Sequence, residues 1–182
     1  FLIGSISHNI SKVKNVLESE DVFAAIKCLK KLGVKIKKIK SQQYEIYGKG
    51  LGSLYCKKGT ILDFQNSGTL CRLLTGILAT TPNIDVNLTG DSSLKKRNMS
   101  KLINLMSEFG AEFFPKNKFF LPLRMVSSEI PIGIKYKAGV SAQLKSAVAL
   151  AATNSFGVTN IIEEKMSRDH TENMLLNSTN II

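Results

Sequence analysis

Apolar positions along the chain follow two rhythms that alternate from end to end. Val22, Ile26, Leu29 and Leu32 recur at helical spacing, which predicts an amphipathic helix with one buried stripe. Ser19 stands where it can cap that helix; Glu20 and Asp21 fill its first turn, Lys30 and Lys31 its last, and Gly33 stops it. Acceptors and negative charge suit a helix N-terminus, and cations with a left-handed glycine suit a C-terminus. The spacing then drops to two. VKIKKIK and QYEIYGK alternate as strands across a short polar turn, which predicts a strand pair.

The same unit recurs downstream. A second helix, predicted from about Asn98 to Glu108, is closed by Gly110, and laying Gly110 on Gly33 gives an offset of 77 residues. Ile26 then falls on Ile103, Leu29 on Met106 and Leu32 on Phe109; LGVKI matches FGAEF, and a strand pair (AEFFP, then KFFLPLRM) follows. These agreements indicate an internal repeat. Between the copies lie the predicted strand TILDFQ, a helix from Gly68 to about Thr80, and the strand IDVNLTG. After them come the strand IPIGIKY, the helix SAQLKSAVALAATNS, the strand VTNIIEE and a helix from near Asp169. That last helix has the place of a third copy, with Ser178-Thr179-Asn180 where its closing glycine would stand. The order β-α-β-α-β-β, repeated, predicts α/β layers. No Gly/Ser linker interrupts it, so residues 1–182 read as one domain that ends abruptly.

Composition narrows the class. A chain of 182 residues, 43% of them hydrophobic, is long enough for a sizeable core. No apolar run approaches the roughly 20 residues of a membrane span. FLIGSI has no basic segment before it and no cleavage site after it, so it does not read as a signal peptide. Position 1 is Phe, and the expectation is a chain that was processed, cut or sequenced in part. Cys28, Cys56 and Cys71 are odd in number and form no C-x-x-C pair, and the two histidines are far apart. The expectation is free thiols in a reducing cytoplasm and no metal site.

Charge widens it again. Twenty-five Lys and Arg against 14 Asp and Glu leave +11, a balance that suits nucleic acid, acidic membranes or anionic metabolites. The lysines of KKLGVKIKKIK are spread along a helix and a strand, where a solvated face accounts for them. Four Tyr, nine scattered Phe and no Trp offer no stacking platform for single-stranded nucleic acid. Charge alone decides nothing.

Three junctions place small polar residues where a strand gives way to a helix: Asn66-Ser67-Gly68-Thr69, Gly139-Val140-Ser141-Ala142-Gln143, and Met166-Ser167-Arg168-Asp169-His170-Thr171. Such residues serve as ordinary caps, but unpaired N–H groups at helix N-termini also favour anions. Each junction has a basic residue close by (Arg72, Lys145, Arg168), and Lys95-Lys96-Arg97 follows Gly90-Asp91-Ser92-Ser93-Leu94 at another strand end. The pattern describes a site for phosphorylated or carboxylated small molecules. It contains no nucleotide-binding glycine motif.

NSGTLCRLLTGILA, LTGDSSLKKRNMSKLINLMSEFGA, AGVSAQLKSAVALAA and SRDHTENML, in this order and spacing, resemble the 5-enolpyruvylshikimate-3-phosphate synthase family along the whole chain. The resemblance implies a domain of repeated βαβαββ units around a pseudo-threefold axis, an inside-out α/β barrel. It implies transfer of the enolpyruvyl group of phosphoenolpyruvate to the 5-hydroxyl of shikimate 3-phosphate through a tetrahedral intermediate. By resemblance Gly68, Arg97 and Gln143 contact phosphoenolpyruvate. Ser141, Ala142, Gln143 and Arg168 hold shikimate 3-phosphate, and Asn66, Thr69 and Arg72 shape the site. No metal, cofactor, nucleic acid or membrane is implied, and the expected protein is a cytoplasmic monomer. Two departures adjoin Arg97: the family has an acid or similar residue at Ser92 and a proline at Asn98. The related enolpyruvyl transferase acting on UDP-N-acetylglucosamine carries a reactive Cys in the loop equivalent to Gly90–Arg97, and this loop has none.

The opening FLIGSISHNI poses its own question. Ser5-Ile6-Ser7-His8 can be laid on the family's substrate-binding Gly-Asp-Lys-Ser-Ile-Ser-His-Arg stretch, but only by deleting about ten residues before KVKNVLESEDV. The ungapped register makes it a helix end, with Asn9 left-handed and His8 exposed, and makes His170 a first-turn residue. In that register the chain begins after the lysine-bearing segment and stops within the first of two domains. The second domain supplies the family's acidic catalytic groups, so the chain alone is expected not to turn over. A binding module of another class, using the basic surface without catalysis, remains the alternative.

Overall fold

The two glycines on which the repeat was aligned both take the left-handed conformation that ends a helix, Gly33 at φ 82° and Gly110 at φ 98°. The computed structural model describes residues 1–178; Thr179 and Asn180 of the predicted third closing segment lie outside the described residues. Upstream of the glycines run α2 (Glu20–Lys31) and α5 (Ser100–Glu108). The equivalent pairs Ile26 and Ile103, Leu29 and Met106, Leu32 and Phe109 are all buried. The α5 helix starts two residues later than expected, because the Asn98 Oδ1 accepts from the Ser100 N–H at 2.7 Å and closes a polar turn ahead of it.

Each of these helices leads into an antiparallel pair: β2 (Lys35–Lys40) with β3 (Gln43–Tyr47), and β6 (Glu112–Phe114) with β7 (Leu123–Val126). The first pair joins β1 (Ile10–Val13) in the order β1-β3-β2. The second joins β4 (Thr60–Asp63) and β5 (Asp85–Thr89) in the order β4-β5-β7-β6. Strand for strand, β1, β3 and β2 therefore repeat as β5, β7 and β6. Strand β1 was not anticipated from the alternation of ISKV, yet the offset of 77 carries β5 back to residues 8–12, two short of it. The third unit is β8 (Lys135–Ala138), α6 (Ala142–Ala152), β9 (Asn160–Glu163) and α7 (His170–Leu176), with β8 and β9 parallel. The strand expected over IPIGIKY is shorter and later: Pro131 has no N–H for a ladder, and pairing there is a single bridge, Ile132 to Phe156. Around it Ile130, Ile132, Phe156 and Val158 remain exposed.

Helices α3 (Gly68–Ala79) and α6 pack against one another inside the sheets. Most of α3 is buried, as expected of a helix apolar nearly all round. Gly76 lets the two helices close, since a Cβ there would strike the Ala147 carbonyl. Helices inside and sheets outside give the inverted layering that the resemblance implied. Burial pushes the Cys71 thiol up to about 12 and the Cys28 thiol up to about 11. All three cysteines are free. Among the described residues no helix is long and apolar enough to cross a membrane.

The opening segment is α1 (Leu2–Ile6), so SISH is a helix end. Ser5 and Ser7 are buried and donate to carbonyls of their own helix, Leu2 at 2.6 Å and Gly4 at 2.9 Å. His8 is exposed. Asn9 corrects the sequence expectation. It is not left-handed, because Ser7 already leaves the helix in an extended conformation (φ −78°, ψ 164°) that runs into β1.

Candidate anion site at the helix N-termini

Equivalent helices of a repeat point the same way, and here their N-termini gather at one end. The start of α2 (Glu20, Asp21) shares a depression of about 160 Å³ with Gln65, Asn66 and Ser67. The start of α5 (Asn98 to Lys101) faces Arg72 and Ser141 across a cleft of about 440 Å³. The start of α7 (His170, Thr171) faces Thr69, Ala142, Gln143 and Ser146 across one of about 190 Å³, which Arg168 also lines. Converging N-termini supply partial positive charge and free N–H groups, which favour anions.

Hydroxyls in the first two junctions act first as caps. Ser67 Oγ accepts from the Leu70 N–H at 3.2 Å and Ser141 Oγ from the Leu144 N–H at 3.4 Å. Asp91 does the same for α4 (Ser92–Lys95), whose Leu94 N–H it receives at 2.7 Å. That short helix, unforeseen in the sequence, turns the Gly90–Arg97 loop back toward α3. Asp169 stands at the cap of α7 without a side-chain hydrogen bond.

Two arginines then converge on Gly68. A Cβ at this position would lie 2.7 Å from Arg97 Nη1 and 2.8 Å from Arg72 Nη1, so glycine is what lets both guanidinium groups approach the α3 N-terminus. Arg97 Nη2 donates to Asn66 Oδ1 at 3.0 Å. Arg72 Nη1 donates to the Gly68 carbonyl and to Gln143 Oε1, each at 3.0 Å, and Gln143 Nε2 donates to Thr69 Oγ1 at 2.9 Å. Gly68, Asn66, Thr69, Arg72, Arg97 and Gln143 thus form one connected group. Ser141, Ala142 and Arg168 belong to the adjoining clefts. Among the described residues no carboxylate forms an ion pair with Arg72, Arg97 or Arg168. Cations that converge without a counter-charge form a surface suited to a bound anion.

Lys145 is the exception. The sequence grouped it with the basic residues of the second junction, but it is fully buried and its ammonium contacts Glu163 at 2.9 Å and Glu172 at 2.6 Å. Burial works against its charge, yet the hydrogen bonds to both carboxylates outweigh it and leave its pKa raised. It is therefore no part of the anion surface. The α5 N-terminus and Ser146, conversely, line the clefts and were missed. The repeat carried the signal for the former, since α2, α5 and α7 are equivalent elements.

Comparison with known proteins identifies the family. The sequence model described as EPSP synthase (3-phosphoshikimate 1-carboxyvinyltransferase) matches residues 1–180. A protein of Paramagnetospirillum magneticum named 3-phosphoshikimate 1-carboxyvinyltransferase is 38% identical over 177 residues, 97% of this chain and 39% of its own length. One of the same name from Petrotoga mobilis is 38% identical over 176 residues, 96% of this chain and 40% of its own. The solved structure of EPSP synthase from Acinetobacter baumannii superposes with a TM-score of 0.88 at 33% identity, covering 96% of this chain and 39% of that one. The chain therefore spans about two fifths of the length of the relatives it matches. Over that span, in sequence, repeat architecture and superposition alike, it belongs to the EPSP synthase family.

Proposed function

We propose that these residues form one side of the substrate site of a 5-enolpyruvylshikimate-3-phosphate synthase, and that residues 1–182 are an incomplete portion of a single enolpyruvyl transferase domain. The observation that carries the reading is the convergence of Arg72 and Arg97 on Gly68, with no carboxylate ion-paired to either among the described residues. Phosphoenolpyruvate brings a carboxylate and a phosphate, and a planar guanidinium matches either in bidentate fashion. Arg97, with Gly68 and Gln143, holds that substrate. Ser141, Ala142 and Gln143 hold shikimate 3-phosphate and Arg168 pairs with its phosphate. Asn66, Thr69 and Arg72 keep Arg97 and Gln143 in place.

In the reaction, the 5-hydroxyl gives up its proton to a base as its oxygen bonds to C2 of phosphoenolpyruvate, and C3 takes a proton from an acid, giving the tetrahedral intermediate. Loss of the C3 proton and of inorganic phosphate then yields the enol ether. Proton transfers of this kind need acid and base groups within hydrogen-bond reach. Among the described residues Glu163 is engaged by Lys145 and Ser167, Asp91 caps α4, and neither is free for that role. The remainder of the site, on a second domain, supplies them. The same reading makes the protein a cytoplasmic monomer acting without nucleic acid.

The test is release of inorganic phosphate from the two substrates. The 182-residue chain alone is expected to release none above background, and to do so when mixed with the remaining portion of a relative. Turnover by the chain alone overturns the two-part site; no turnover from a properly folded mixture overturns the functional assignment.

A further inference from the structure

Lys145 lies one turn beyond Ser141 on α6, where a leucine would fill the same space without the cost of desolvating an ammonium. Its two partners come from different elements: Glu163 ends β9 and Glu172 lies in the first turn of α7. Between them runs the segment 164–169, which carries Arg168. One buried cation thus closes both ends of that segment onto α6.

The two carboxylates are used unequally. Glu163 gives Oε2 to Lys145 at 2.9 Å and Oε1 to Ser167, whose backbone N–H donates at 3.1 Å and hydroxyl at 2.7 Å. Lys145, and after it Ser167, hold the Glu163 carboxyl below its ordinary range. Glu172 reaches Lys145 with Oε1, while its Oε2 is buried without a partner. Glu163 therefore fixes the residue just before Arg168, whereas Glu172 contributes charge to Lys145. On the other flank the Thr171 and Ser146 hydroxyls are 2.8 Å apart and tie the first turn of α7 to α6. Arg168 itself has no hydrogen bond or ion pair among the described residues. Its backbone is held from both sides and its guanidinium is left available.

We infer that Glu163, anchored by Lys145, is a positioning residue for Arg168, holding it where the cleft receives a phosphate ester. This rests on the proposed role of Arg168. A side chain carried on a backbone fixed before binding loses less freedom on binding, so its contribution appears as affinity for the phosphate.

Two isosteric variants of the 182-residue chain separate placement from general stability. Glu163→Gln is expected to speed amide exchange at Ser167 and Arg168 while leaving α3 unchanged. It is also expected to weaken shikimate 3-phosphate about tenfold, leaving shikimate unaffected. Glu172→Gln is expected to alter neither the Ser167 amide nor the preference for the phosphorylated ligand. Equal effects of the two variants, or an unchanged Ser167 amide in Glu163→Gln, overturn the inference. If the unmodified chain fails to prefer shikimate 3-phosphate over shikimate, the functional reading falls, and the exchange rates still decide whether Glu163 holds the segment.

Discussion

Arg72 and Gln143 are 71 residues apart in sequence and joined by a 3.0 Å hydrogen bond between Arg72 Nη1 and Gln143 Oε1. The bond crosses from the second repeat unit to the third, and it exists because α3 and α6 pack side by side with their N-termini level. Gln143 uses its other end on Thr69, so one amide sets the distance between the two junctions.

Gln143→Ala therefore removes a spacer as well as a proposed ligand contact. Gln143 is only partly buried, so the fold is expected to lose less than about 1 kcal/mol in urea unfolding. Shikimate 3-phosphate affinity is expected to fall about tenfold by calorimetry. Unchanged affinity in a stable variant would remove Gln143 from the site.

Gly68→Ala addresses the arginine pair. Gly68 does not lie among the left-handed glycines, so the backbone accepts alanine and thermal stability is expected to hold. The new Cβ meets Arg97 Nη1 and Arg72 Nη1 at 2.7 and 2.8 Å and pushes both away. Phosphoenolpyruvate binding is expected to weaken more than shikimate 3-phosphate binding. The reverse ranking, in parallel titrations, contradicts the assignment of Gly68 and Arg97.

The repeat makes a stability prediction. Leu29 and Met106 occupy equivalent places and each is fully buried. Truncation of either to alanine is expected to cost about 2–5 kcal/mol, measured by denaturant unfolding. A cost below about 1 kcal/mol at one site alone would show that the two copies do not share one core.

Acid titration should report on Glu18. Lys38 above all, then the Tyr44 hydroxyl and the Gln42 N–H, bind its carboxylate and depress its pKa to about 2. A depressed carboxylate stabilises the fold fully above its ordinary range near 4.5, and the contribution fades as pH falls toward 2. Side-chain NMR is expected to show Glu18 titrating well below the ordinary carboxylate value of 4.5. Titration of Glu18 near 4.5 would mean that the Lys38–Glu18–Tyr44 cluster does not persist in solution.

How much of this was legible beforehand depended on the range of the interaction. Helix α2 and its strand pair follow from local periodicity and a glycine stop, and the four motifs identify the family. Strand β1 has only four residues with little contrast between its faces, and only the offset to β5 reveals it. IPIGIKY alternates well, but its pairing is limited by Pro131 and by where β9 begins. The convergence over Gly68 and the burial of Lys145 depend on side chains from separate units meeting. Sequence spacing carries no record of such meetings, so Lys145 was grouped with the cations of the junctions and nothing joined Arg72 to Gln143.

The most direct test of the central claim is an NMR titration of the 182-residue chain with shikimate 3-phosphate, followed by shikimate. Saturable shifts are expected at Thr69, Gln143 and Arg168 with the phosphorylated ligand, largely lost when the phosphate is removed. Identical shifts with both ligands, or none with either at millimolar concentration, would contradict a phosphate-reading surface on this side of the site.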